Sequence, residues 1–200
     1  MTTPEQVPVP GDEKDWTWVL ERPCAECGVV AGDIALRDVP GLVAASTQAW
    51  RLVLEADDVE RRPRPDVWSP LEYACHVRDV HRVFDERLRL MLASAPGEAA
   101  RFANWDQDAT AVAERYAEQE PEAVHTDLTA AAHVVAGRYA ALAPDDAERV
   151  GLRSNGSAFT VRTFAQYHLH DVLHHLHDVG VAVDTQGVRA HPSDTRSDEQ

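Results

Sequence analysis

Helical periodicity constrains this sequence more than any other feature. Four separate stretches repeat apolar residues every three or four positions, which gathers them on one face of an α-helix. The alternation expected of strands is confined to a few residues around Asn155 and Gly156. The sequence therefore predicts an all-α fold, and four amphipathic helices favour a four-helix bundle.

Start and stop signals set the limits of these helices. The second begins at "SPLE", where Ser69 can cap, Pro70 suits the first helical position and Glu72 can close a capping box. Thr163 with Gln166 suggests a similar box in the last helix. The predicted helices cover about residues 41–56, 69–92, 121–143, and from Thr160 or Thr163 to Gly180.

Three other segments surround or interrupt the helices. A long connection, 94–120, has only enough pattern for one short helix. Asn155–Gly156 is a strong turn signal, compatible with a small hairpin before the last helix or with a plain turn. We expect an N-terminal extension over 1–39, the bundle over 40–182 and a polar tail over 183–200.

Charge and hydropathy exclude several functions. The formal net charge of −15 argues against nucleic-acid binding, which needs a basic surface. No apolar run approaches the ~18 residues that cross a bilayer. The first 16 residues have neither the basic nor the apolar region of a secretory signal. These observations predict a cytoplasmic protein that binds neither nucleic acid nor membrane.

The chain has three cysteines, an odd number that does not form a disulfide framework. Cys24 and Cys27 form a CxxC in "RPCAECG", and no second cysteine pair follows. Three interpretations stay open at this point: a redox pair, half of a zinc site, or two small residues in a turn.

The last helix carries five histidines in ten positions, within "YHLHDVLHHLHDVG". His170 and His174 are four residues apart, so they share a face and can grip one ion. His177 continues that stripe, whereas we expect His168 and His175 to point elsewhere.

A third ligand should come from a facing helix, and His76 on the inner side of the second helix is the natural candidate. The other histidines are expected to be surface or packing residues: His81, His125, His133 and His191.

"WSPLEYACHVRDV", followed a hundred residues later by "HDVLHH", resembles the DinB-like superfamily over residues 40–180. This group includes mycothiol-dependent maleylpyruvate isomerases and bacillithiol transferases. The resemblance implies a four-helix bundle with a long crossover between the second and third helices. It also implies a divalent metal (zinc first, nickel or iron as alternatives) held by His76, His170 and His174.

A metal centre of this kind supports more than one function. A coordinated thiol loses its proton, which suits an S-transferase or isomerase that uses a low-molecular-weight thiol such as mycothiol on a small electrophile. A coordinated water suits a thiol-independent hydrolase. A closed ligand sphere, completed for example by His177, would suit a non-catalytic, metal-binding stress-response bundle that forms a homodimer.

Several residues are candidates to assist the metal or the small-molecule substrate. Carboxylates near the ligands can orient a ligating imidazole, and those candidates are Glu72, Asp79 and Asp171. Residues expected at the bundle mouth or in the long connection are Arg78, Asn104, Trp105, Asp106, Asp108, Arg153 and Asn155. Trp68 is expected only to pack its helix start against the core.

Overall fold

The computed structural model describes residues 9, 14–182 and 191–192. The α-helices are α1 (Val39–Leu54), α2 (Pro70–Ala93), α3 (Gln107–Ala113), α4 (Pro121–Ala140) and α5 (Val161–Asp178). The strands are β1 (Ala100–Phe102), β2 (Val150–Arg153), β3 (Ala158–Thr160), β4 (Val181–Ala182) and β5 (His191–Pro192). Short 3-10 helices cover Trp16–Leu20, Ala31–Asp33, Leu36–Asp38, Tyr116–Glu118 and Pro144–Glu148.

The four long helices form a bundle, as predicted. Helix α2 packs mainly against α4 and α5, and α1 packs mainly against the same two, so α1 and α2 lie diagonally across the bundle. The core between them consists of large apolar side chains, each of which stabilises the fold by roughly 1.5–3 kcal/mol through burial. Those with almost no exposed surface include Trp50, Leu71, Leu88, Leu128, Phe164, Leu169 and Leu173.

Side-chain caps determine where α2 and α5 begin. Ser69 Oγ accepts from the backbone N–H of Glu72 at 3.2 Å, and the Glu72 carboxylate accepts from the Ser69 N–H at 2.8 Å, so the predicted capping box is confirmed. For α5 the cap is Thr160, with Thr163 as its reciprocal partner. The predicted Thr163–Gln166 box is wrong, because the Gln166 amide instead donates to backbone carbonyls of the N-terminal segment.

A small sheet joins the long connection to the hairpin before α5. Strands β2 and β3 are antiparallel around Gly156, whose φ of +99° favours glycine, so the hairpin alternative is correct. Strand β1, from the connection between α2 and α4, pairs parallel with β2. This pairing was not predicted, and it brings the connection beside the start of α5, where the Asn104 N–H donates to Ser154 Oγ at 2.8 Å.

The N-terminal segment, 14–38, consists of 3-10 turns that pack against α5. Its attachment includes two hydrogen bonds from Gln166 Nε2, to the carbonyls of Gly32 (3.0 Å) and Ile34 (2.9 Å). The predicted division at residues 39 and 182 stays a prediction. The predicted tail 183–200 lies outside the described residues except at β5, which pairs antiparallel with β4.

A search of the helices in the described ranges finds none that is both long and apolar enough to cross a membrane.

Candidate metal centres

Polar residues on two neighbouring stripes of α5 build two groups of potential metal ligands. Within each group the ligand atoms all lie within 4.8 Å of one another. The first, here called the His76 group, contains His76, Asp171 and His175. The second, here called the CxxC group, contains Cys24, Cys27, His170 and His174.

Each of the three predicted ligands belongs to one of these groups, but they do not share one. His76 lies with Asp171 and His175, whereas His170 and His174 lie with the N-terminal cysteines. The reason is the geometry of the α-helix, in which consecutive side chains point about 100° apart, so residues 170 and 171 face different neighbours. The stripe of 171 and 175 faces α2, and the stripe of 170 and 174 is covered by the N-terminal segment.

The His76 group lies under aromatic rings. The buried His76 ring stacks on Trp105, with centroids 5.3 Å apart and planes 4° apart, and Trp68 contacts it at 5.3 Å. Its edge meets the His175 ring at 4.7 Å. His175 points away from the stripe of His170 and His174, as expected, but it faces His76 and so belongs to a ligand group itself. Trp68 contacts a site residue in addition to the core.

Several polar atoms of the His76 group are buried without a hydrogen bond to any described residue. Within the described part of the chain, both ring nitrogens of His76 and Oδ1 of Asp171 are buried without a hydrogen-bond partner. His76 Nε2 and Asp171 Oδ1 are 3.6 Å apart, too long for a hydrogen bond. His175 Nδ1 contacts the Asp178 carboxylate at 2.8 Å, and its Nε2 faces Asp171 at 3.5 Å. Buried polar atoms of this kind call for a partner.

Burial and neighbouring charge keep these groups in the protonation states that metal binding needs. Burial lowers the pKa of His76, so its imidazole is neutral at neutral pH. Burial raises the pKa of Asp171, but the imidazoles of His76 and His175 outweigh it and the net direction is down. The group therefore offers the imidazoles of His76 and His175 and the carboxylate of Asp171, a donor set that suits zinc, iron or nickel.

The CxxC group pairs each thiol with one imidazole. Cys24 Sγ lies 3.7 Å from His174 Nδ1, and Cys27 Sγ lies 3.7 Å from His170 Nε2. Trp16 packs on both imidazoles, with centroid distances of 5.8 Å to His170 and 5.0 Å to His174. Burial raises the pKa of the Cys27 thiol to about 12 and lowers that of His170 to about 4.

A cavity of about 790 Å³ opens beside both groups. Six predicted substrate-binding residues line it: Asn104, Trp105, Asp106, Asp108, Arg153 and Asn155. Arg78, predicted with them, is not among the lining residues, because it is buried against Asp79 and Gln119. Lining residues that the sequence did not single out for this role include Trp16, Glu26, Tyr73, Tyr167 and Asp178.

Two of the three carboxylates predicted to orient a ligand have other partners. Glu72 pairs with Arg62 and accepts the Ser69 N–H. Asp79 accepts from Arg78, Arg82 and the Tyr116 hydroxyl. Neither hydrogen-bonds to His76. The third, Asp171, is itself a potential ligand in the His76 group.

The remaining histidines behave as packing or surface residues where they are described. His81 is buried, with Nδ1 3.0 Å from His168 Nε2, and the Tyr139 hydroxyl contacts His168 Nδ1 at 3.2 Å. His133 is exposed and His125 partly so. The side chain of His191 lies outside the described part of the structure.

Comparisons with known proteins agree with this architecture. A family model described as the DinB superfamily matches residues 43–179. YfiT from Bacillus subtilis, described as a probable metal-dependent hydrolase with an unusual four-helix bundle topology, matches with a TM-score of 0.62 and 15% identity, over 72% of this chain and 86% of YfiT. At that identity the likeness to YfiT concerns the fold alone. A comparison with curated proteins gives no match. Because the family model spans more than half of its length, the chain belongs to the DinB superfamily.

Proposed function

We propose that this protein is a metal-dependent enzyme that binds its catalytic ion in the His76 group. It uses the ion to activate a low-molecular-weight thiol, such as mycothiol, for transfer to or isomerisation of a small electrophile. The observation that carries the proposal is the set of buried atoms without partners, both nitrogens of His76 and Oδ1 of Asp171, within reach of His175.

The number of ligands supports catalysis over a purely structural role. Three protein ligands leave at least one coordination position of a divalent ion open, whereas structural zinc sites are usually closed by four. Asp171 and His175 both line the cavity, so that position is accessible to a substrate. A bound divalent ion would lower the pKa of a thiol or water beside it and so supply a nucleophile at neutral pH.

The surrounding residues hold the ligands in place. Asp178 contacts His175 Nδ1 at 2.8 Å, which leaves Nε2 directed at the proposed ion. Trp105 and Trp68 enclose the ring of His76 and keep water from its nitrogens. A preorganised and partly dry site of this kind strengthens electrostatic interactions with a bound substrate.

The charge of the cavity indicates which electrophiles it accepts. Two cations, Lys14 and Arg153, face a larger set of carboxylates: Asp15, Glu26, Asp66, Asp106, Asp108, Asp171 and Asp178. Such a wall repels anions. We therefore propose a neutral or cationic electrophile, with the aromatic side chains Trp105, Tyr73 and Tyr167 contacting its apolar part. The volume of about 790 Å³ is enough for a thiol and a small substrate together.

A hydrolase that needs no thiol is the second candidate, because YfiT is described as a probable metal-dependent hydrolase and the same three ligands could activate water. The third candidate, a non-catalytic stress-response bundle closed by His177, has less support. His177 is exposed and belongs to neither ligand group. The homodimer stays a prediction.

The test combines metal analysis with an activity screen. Protein purified without added metal should contain zinc, nickel or iron, and His76→Ala and His175→Ala should each lose about one equivalent, whereas the exposed control His133→Ala keeps it. A panel of small electrophiles is then assayed with and without a low-molecular-weight thiol. Turnover only with thiol supports the transferase, and turnover of esters without thiol supports the hydrolase. Unchanged metal content in both ligand variants would refute the proposed centre.

A further inference from the structure

We propose that the CxxC group binds a second, structural zinc ion that fastens the N-terminal segment to α5. The four ligands are Cys24, Cys27, His170 and His174. Two thiolates and two imidazoles form one of the standard ligand sets of structural zinc sites. This site is separate from the His76 group and does not depend on the function proposed for it.

The distances match those of an ion-bound tetrahedron. With Zn–S bonds of about 2.3 Å and Zn–N bonds of about 2.0–2.1 Å, a sulfur and a nitrogen ligand lie about 3.6 Å apart. The two sulfur–nitrogen distances in the structure, Cys24 to His174 and Cys27 to His170, are both 3.7 Å. All four donor atoms lie within 4.8 Å of one another, which is close enough for one ion to bind them together.

The backbone around the cysteines holds both thiols on the same side. The Cys24 N–H donates to the Val29 carbonyl and the Gly28 N–H donates to the Cys24 carbonyl, both at 2.9 Å, which closes a tight turn. Gly28 has a φ of +74°, a conformation that favours glycine. The Val29 N–H is hydrogen-bonded to the Cys27 sulfur. The turn therefore presents both sulfurs to the imidazoles on α5.

The imidazole of His174 is oriented as a ligand would be. Its Nδ1 faces Cys24, and its Nε2 faces the carboxylate of Glu26 at 3.5 Å. Metal-bound histidines generally direct their second nitrogen at a carboxylate or carbonyl in this way. Cys24, His170 and His174 are buried, and Trp16 packs over both imidazoles. Four protein ligands complete the tetrahedral coordination of zinc, so the ion is structural.

Such an ion would explain how the N-terminal segment keeps its position. The segment contains no α-helix or strand between residues 14 and 38, and only Val19, Cys24, Val29 and Ala31 are fully buried apolar residues in it. That is a small core for an ordered segment. A zinc ion would join it to α5 across 143 to 150 residues of sequence, and it would thereby hold Asp15, Trp16 and Glu26 in the cavity wall.

Metal stoichiometry tests the proposal directly. The double variant Cys24→Ser/Cys27→Ser should contain about one equivalent of metal less than the wild type. The matched control is Cys75→Ser, which removes the third cysteine, a buried thiol that contacts the Tyr116 carbonyl and belongs to neither group. Equal metal content in the double variant and the wild type would overturn the proposal, as would a Cys24–Cys27 disulfide in protein purified under reducing conditions.

Cobalt substitution of the wild type keeps the proposal testable if the double variant does not fold. Cobalt(II) bound by two thiolates and two imidazoles should give thiolate-to-cobalt charge-transfer absorption in the near ultraviolet and strong visible bands typical of tetrahedral geometry. These bands should remain in His76→Ala, which removes a ligand of the other group only. Absence of the bands in the wild type, or their loss in His76→Ala, would overturn a separate thiolate site.

Discussion

The buried pair His81 and His168 makes the stability of this fold depend on pH. His81 has no exposed surface, and its Nδ1 lies 3.0 Å from His168 Nε2. Burial lowers the pKa of His81 to about 4, an effect only partly opposed by the charge of Asp171. In the unfolded chain the same imidazole has a pKa of about 6.5. Below that pH the unfolded state binds more protons, so the free energy of unfolding decreases as the pH falls.

The size of the effect follows from the two pKa values. Between about pH 7.5 and about pH 5, residue 81 of the unfolded chain takes up nearly one proton, and in the folded chain it takes up almost none. The resulting loss is about 2 kcal/mol. Replacing His81 with Asn, which keeps a polar atom close to the position of Nδ1, removes this proton uptake. The free energy of unfolding of the His81→Asn variant should therefore fall by about 2 kcal/mol less than that of the wild type over the same interval.

Urea unfolding at a series of pH values measures this difference. Titrating groups that do not contact residue 81 are common to both proteins and cancel when the two curves are subtracted. The contacting His168 is held neutral in both proteins, because burial is the largest cause that lowers its pKa. The exposed His133→Asn serves as the control and should follow the wild type. If the curves of His81→Asn and the wild type run parallel from neutral to acidic pH, then His81 is not held neutral in the folded state and the reasoning is refuted.

Three further predictions test packing and the N-terminal segment. Arg62→Ala should lower the free energy of unfolding, measured by urea unfolding, by about 2–4 kcal/mol, because it leaves the buried carboxylate of Glu72 without its cation. The exposed Arg61→Ala is the control and should change the urea midpoint little. Equal midpoints for Arg62→Ala and the wild type would contradict the prediction. Gly151→Ala should lower the free energy of unfolding by about 1–3 kcal/mol, because its Cβ would lie 2.7 Å from the Phe102 ring and 2.9 Å from the Met91 sulfur. Gly137→Ala, in an open part of a helix, should instead raise the free energy of unfolding by about 0.5–1 kcal/mol. A chelator should speed tryptic cleavage after the exposed Arg37, followed by mass spectrometry, and an unchanged rate would argue against a zinc-held segment.

The parts of this fold that follow from local signals could be read from the sequence. The cap at Ser69, the turn at Gly156 and the apolar faces of the four long helices depend on residues within a few positions of one another. Family membership could also be predicted, because the two histidine motifs that carry the resemblance lie within α2 and α5. The pairing of β1 with β2 could not be predicted, because strands of three and four residues carry almost no periodic signal.

The division of the ligands into two groups could not be predicted from the sequence. His170 with His174 and Asp171 with His175 have the same four-residue spacing, so spacing cannot say which pair faces α2. That choice depends on how α5 is rotated about its axis, which the packing of Leu169, Leu173 and Leu176 in the core determines. The approach of Cys24 and Cys27 to α5 is a long-range contact, and the sequence marked it only as a CxxC without partners.

The distance along the chain between the cysteines and their imidazoles has a consequence during protein synthesis. The two halves of the CxxC group are 143 to 150 residues apart, so at roughly 5–20 residues per second the ribosome makes the second half about 7–30 s after the first. During that time Cys24 and Cys27 are exposed to oxidants in the nascent chain. For the proposed site to form, both thiols must therefore stay reduced throughout translation, and an ion can bind all four ligands only after the last helix has emerged from the ribosome.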